Sequence, residues 1–121
     1  MATGQGTGAR DAELVRTLGD KYSAEILGTT NEPQSAQELS DRLDIPIATC
    51  YRRIEDLTDV GLLSLEDSVL SEERRRVDVY RREVDQLTIS FGEASYSVTV
   101  DERSEVKNKL DDAWRALSGS D

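Results

Sequence analysis

A chain of 121 residues is long enough for one domain of ordinary size, with a core sufficient to fold and little to spare. One Cys and no His exclude an internal disulfide, leave no Cys pair for a soft metal ion, and remove the commonest general base from any catalytic scheme. With 25 acids against 15 bases the net charge is −10, an excess that, with few aromatics and twelve Arg to three Lys, fits a salt-rich cytoplasm.

No Gly-rich phosphate loop or nucleophile motif is present. The apolar runs are strand-length, and the N-terminus has no charged start leading into one. The expectation is a cytoplasmic, non-enzymatic protein with no cofactor and no membrane partner.

Residues 1–10 are rich in Gly and Thr with almost no apolar content, and are expected to form a disordered tail. A domain over 11–100 then begins with a helix near Asp11 whose apolar face is Leu14, Val15 and Leu18. Gly19-Asp20 interrupts it. Asp20 suits the N-cap of a second segment, in which Tyr22, Ile26 and Leu27 continue the inward stripe. A turn over residues 28–33 delivers the chain to Ser35.

Ser35 is a good N-cap, and Glu38 three residues on completes a capping box. Leu39 and Leu43 share one face of the helix so begun. Pro46 biases Ile45 away from the helical region, so the chain breaks there and restarts with Pro46 in the first turn. In the second helix Ile47, Cys50, Ile54 and Leu57 form the buried stripe. The opposite face centres on Arg52, with Ala48, Thr49, Glu55 and Asp56 around it and Tyr51 and Arg53 on the flanks. A face that starts with small residues and continues into arginine can approach base edges in the major groove. By spacing alone the same residues also describe an ordinary helical hairpin with a solvated arginine face.

Gly61 ends that helix, and the period changes to alternating at Leu63-Ser64-Leu65. A polar loop over 68–76 carries Arg74, Arg75 and Arg76, and Val77-Asp78-Val79-Tyr80-Arg81 alternates again and pairs back. In isolation the arginine run is a solvated turn balanced by Glu72 and Glu73. Its place after a reading helix makes it a wing tip, where the planar arginine fork suits phosphates. A second hairpin over 86–91 and 95–100, joined by Gly92-Glu93-Ala94, either extends the wing sheet or separates DNA contact from dimer contact. The last segment, 101–121, is expected to be helical from Ser104. Its stripe of Val106, Leu110, Ala113, Trp114 and Leu117 packs on its own domain or on a second copy.

The run over 35–63 resembles the DNA-reading core of winged-helix regulators of the MarR and ArsR type. Their pattern is a capped helix, a short turn, Ser/Thr-x-hydrophobic-x-Arg, and a closing Gly-Leu-Leu or Gly-Leu-Val. Ala48-Thr49-Cys50-Tyr51-Arg52 and Gly61-Leu62-Leu63 fall on it. Over 18–82 the chain is similar to a group of small haloarchaeal regulators that includes an oxidative-stress regulator. The resemblance implies an α+β fold: a winged helix-turn-helix with an extended β wing and a C-terminal dimerisation helix. It implies a homodimeric, sequence-specific regulator on a pseudo-palindrome of double-stranded DNA.

On this reading the DNA contacts are Ser35, Ala48, Thr49, Tyr51, Arg52 and Arg53, with Arg74, Arg75 and Arg76 from the wing. The dimer interface is Leu14 and Leu18 together with Val106, Leu110, Trp114 and Leu117, because an apolar terminal helix with a Trp is similar to the dimer helices of these regulators. Cys50, on the inward stripe and with no second thiol to resolve it, is expected to be structural. The net charge is the main objection to a DNA binder. Residues 52–82, however, carry only −1, leaving −9 elsewhere. At about 1 M salt the Debye length falls to about 3 Å, so acidic repulsion is weak and direct contacts dominate. The rival reading is a winged helix that docks another protein of the transcription or replication machinery.

Overall fold

The computed structural model describes residues 8–70 and 73–103. The segment from Ser104 onwards, with Val106, Leu110, Trp114 and Leu117, lies outside the described residues. In order, the elements are α1 (Ala9–Gly19), α2 (Ser23–Thr29), β1 (Gln34–Ser35), α3 (Ala36–Leu43), α4 (Ile47–Asp59), β2 (Leu63–Leu70), β3 (Arg76–Arg82), β4 (Val84–Phe91) and β5 (Tyr96–Glu102). This is a helix-turn-helix followed by antiparallel strands, an α+β arrangement.

Helix α1 begins two residues before the expected start, so Ala9 and Arg10 belong to it and not to a tail. Asp20 is not the cap of the next helix. It is the C-cap of α1, and α2 is headed by Tyr22 in the left-handed region at φ 77° with no side-chain cap. Leu14, read as a dimer residue, is 1% exposed within its own domain and unavailable to a partner. Leu18 is half-buried against the same core.

The helix-turn-helix is closed at each joint by its own local bonds. The Ser35 hydroxyl accepts from the Glu38 amide at 3.0 Å, and Glu38 Oε1 accepts from the Ser35 amide at 2.8 Å, the capping box read from the sequence. Helix α3 ends on Asp44 in the left-handed region at φ 57°, and the Ile45 amide donates back to the Ser40 carbonyl at 3.1 Å. Pro46 is the N-cap of α4. At the far end Leu62 N–H donates to Leu57 C=O and Gly61 N–H to Thr58 C=O, both at 3.0 Å. Gly61 stands there at φ 82°, which a side chain would strain. These paired returns satisfy carbonyls that a bare helix end leaves open, and they carry Leu62 back onto Leu57, both buried.

The core is made by Leu14, Ile26, Leu27, Leu39, Ile45, Cys50, Ile54, Leu57, Leu62 and Leu63, joined by Val84 and Val98 from the second hairpin. Ile47, the first residue of α4, departs from the expected stripe: it is 37% exposed.

Two sheets form, ordered β1-β3-β2 and β4-β5. The two-residue strand β1, unforeseen in the sequence, pairs Gln34 with Tyr80 and Ser35 with Val79. The wing is longer than expected, since β2 reaches Leu70 and β3 starts at Arg76, with a bulge between Leu65 and Asp67. The second hairpin does not extend the wing sheet; it is a sheet of its own, seated on α1, where Asp11 Oδ2 accepts from the Val98 amide at 3.1 Å.

Candidate nucleic-acid interface

Helix α4 presents Ala48, Tyr51, Arg52 and Glu55 to solvent, with Thr49 half-buried, while Cys50, Ile54 and Leu57 face inward. Its first outward residues are small, so the N-terminal end of α4 is the part able to come nearest another surface. Arg52 lies one turn further on, and among the described residues nothing pairs with it.

Arg53 is placed differently from the expectation. Its guanidinium is turned back into the protein, 2.8 Å from Asp20 and 3.3 Å from Asp56, and its side chain is 15% exposed. It is withdrawn from the exposed reading face. Ser35 is placed differently too: it is 4% exposed, with its hydroxyl accepting from the Glu38 amide in the cap of α3, so burial withdraws it from the exposed face.

At the wing, Arg74, Arg75 and Arg76 are all exposed, and Arg74 turns the chain at φ 65°. Two further arginines counted in the basic balance are structural. Arg81 donates from Nε to the Asn31 carbonyl at 3.0 Å, and Arg82 from Nε to the Val84 carbonyl and from Nη1 to the Leu27 carbonyl, at 2.6 and 2.9 Å. With Arg53 they hold the wing root and α4 to the helical layer. Within residues 52–82 the exposed cationic residues are therefore Arg52, Arg74, Arg75 and Arg76.

Between α4 and the wing runs an open cleft whose lining includes Glu38, Tyr51, Glu66, Asp67, Arg75, Arg76, Asp78 and Tyr80. Its lining has more carboxylates than arginines, so a polyanion there depends on direct contacts and not on the net charge of the cleft. Tyr80, which the sequence reading passed over as one more strand residue, lies there half-buried. Burial first, then the neighbouring Asp78 and Tyr51, push its phenol above the ordinary tyrosine value, so at neutral pH it is a hydrogen-bond donor. The alternation of β3 put Tyr80 on one face, but only the wing fold sets it beside Tyr51.

Cys50 is wholly buried, and that burial pushes its thiol pKa up, away from the reactive thiolate. Because the folded value lies above the unfolded one, the thiol's contribution to stability is fully present at neutral pH. It fades as the pH rises past about 8.5, where an unfolded thiol ionises. Cys50→Ala is expected to lower stability by about 1 kcal/mol and leave DNA binding unchanged. Denaturant titration together with mobility shifts checks this, and loss of a peroxide-induced release that the parent shows would make Cys50 a sensor.

Residues 18–66 match a family model described as a helix-turn-helix domain. The match spans α2, α3 and α4 and ends in β2, so the fold and the comparison agree on a helix-turn-helix of the kind DNA-binding regulators use. It supports a DNA-binding regulator in general, and with it a non-enzymatic role. No curated protein matches the chain. Among the described residues no helix is long and apolar enough to cross a membrane.

Proposed function

We propose that the chain is a homodimeric, sequence-specific transcription regulator of double-stranded DNA that works in the cytoplasm of a salt-adapted cell. Helix α4 enters the major groove, and the wing arginines Arg74, Arg75 and Arg76 lie along the neighbouring backbone or in the minor groove. The observation that carries this reading is Arg52, exposed and unpaired in the middle of a helix whose outward start, Ala48 and Thr49, is small enough to let it approach base edges. Tyr51 and Tyr80 flank the path of a phosphate strand between helix and wing.

A twofold dimer sets its reading helices about 34 Å apart, one turn of duplex, and calls for a pseudo-palindromic operator. The stress response that the resemblance implies arises away from the buried Cys50. In vitro selection from random duplexes at molar KCl, followed by mobility shifts, tests the assignment: one enriched, pseudo-palindromic family is expected. Failure to enrich any duplex, with capture of a protein of the transcription machinery, favours the docking alternative.

The dimer seam is assigned to Val106, Leu110, Trp114 and Leu117, with Leu18 at its margin. A chain ending at Arg103 is then expected to be a monomer that keeps the helix-turn-helix, as read by light scattering and circular dichroism. A fragment that stays dimeric moves the seam to α1 or the second hairpin.

A further inference from the structure

A helix reads bases only when its outer face is presented at one angle about its axis. Adjacent helical residues are about 100° apart, so Arg52 and Arg53 serve different surroundings. Arg52 faces solvent. Arg53 reaches the junction of α1 and α2, where Nη1 is 2.8 Å from Asp20 Oδ2. The Nε of the same guanidinium is buried without a hydrogen-bond partner, so the group is held there against a desolvation cost that the ion pair offsets.

The two acids around Arg53 are not equivalent. Asp56 lies on α4 itself, three residues on, and moves with the helix if it rolls. Asp20 belongs to another element and does not. It is tied in place by its backbone: it caps α1, its amide donates to the Thr17 carbonyl and its carbonyl accepts from the Ser23 amide, both at 3.2 Å, and Tyr22 follows at φ 77°. The other end of α1 is tied to β5 through Asp11 and Val98.

We propose that the Arg53–Asp20 pair fixes the roll of α4, making Arg53 a positioning residue that governs operator discrimination through Arg52. This rests on the DNA-reading assignment above. Side chains reach about 6 Å from a helix axis, so a roll of about 20° carries the tip of Arg52 about 2 Å sideways. That shift separates a base-edge hydrogen bond from none.

The test sets charge against position. Asp20→Asn removes an acid from an acidic protein and on charge alone tightens every DNA complex, whereas loss of positioning weakens the operator complex selectively. The probes are the duplex enriched by the full chain and a shuffled duplex of equal composition, titrated across several KCl concentrations. D20N and R53Q are each expected to lower the enriched-to-shuffled affinity ratio about tenfold, with the salt dependence of the shuffled complex unchanged. The double variant should be no worse than R53Q, and R53K should recover part of the ratio. D56N, which removes the partner on the same helix, should keep the parental ratio. Circular dichroism melts confirm that each variant is folded at the assay temperature.

Three results overturn this proposal alone. R53Q weakening both duplexes equally with a shallower salt dependence marks a phosphate contact. D20N tightening both duplexes marks charge alone, and D20N leaving the ratio at the parental value removes the positioning role. A parent chain that enriches no duplex overturns the DNA-reading assignment, and this inference with it.

Discussion

Arg52→Ala is expected to lower discrimination between operator and random duplex by about 1 to 3 kcal/mol, or about five- to 140-fold, because a guanidinium gripping a guanine edge makes two hydrogen bonds that other bases do not offer. The side chain is free to do so: it is exposed at the centre of the outer face of α4, with no partner among the described residues. Arg75→Ala is expected to act differently, weakening operator and random DNA by similar factors, since a phosphate is the same on every sequence. Competition titrations with both duplexes separate the two cases. Equal loss on both from Arg52→Ala rules out base reading at that position.

Leu57→Ala carries the largest expected effect on stability, about 2 to 5 kcal/mol. Leu57 is fully buried in the last turns of α4, and its carbonyl receives the Leu62 amide that folds the chain from helix into wing. Truncating it opens a cavity at the joint between α4 and the sheet. Domains of this size hold about 5 to 15 kcal/mol in all, so a loss of this order leaves a marginal protein whose wing root loosens with its helix. Equilibrium unfolding in urea measures it. A loss under about 1 kcal/mol means that the joint repacks around the gap.

Features that depend on neighbours a few residues apart were legible in the sequence. The Ser35–Glu38 box, the Cys50, Ile54 and Leu57 stripe, and the stop at Gly61 are local geometry, and each is where spacing puts it. Arg53 was misread because a helical wheel gives a direction and not what lies there. Its partner Asp20 is 33 positions earlier, and Asp20 itself has the look of a cap. Ile47 fits the inward period but stands at the very start of α4, where it is exposed. The full length of the wing is not legible because Glu66, Asp67 and Ser68 are polar: both faces of the outer wing are largely solvated, so alternation carries no signal there. Strand β1 is two residues long and exists only because β3 passes beside it.

Strand β1 covers β3 only opposite Val79 and Tyr80, so the outer part of β3, from Arg76 to Asp78, runs on without a neighbour on that side among the described residues. An uncovered strand margin is an invitation for another chain to add itself and begin an aggregate. Here the margin carries exposed Arg76 and Asp78 on either side of Val77, and an incoming strand has to desolvate both charges to pair. The same residues that line the wing therefore oppose the addition of a further strand, and apolar replacements at Arg76 and Asp78 are expected to raise light scattering of concentrated protein before they change its melting temperature.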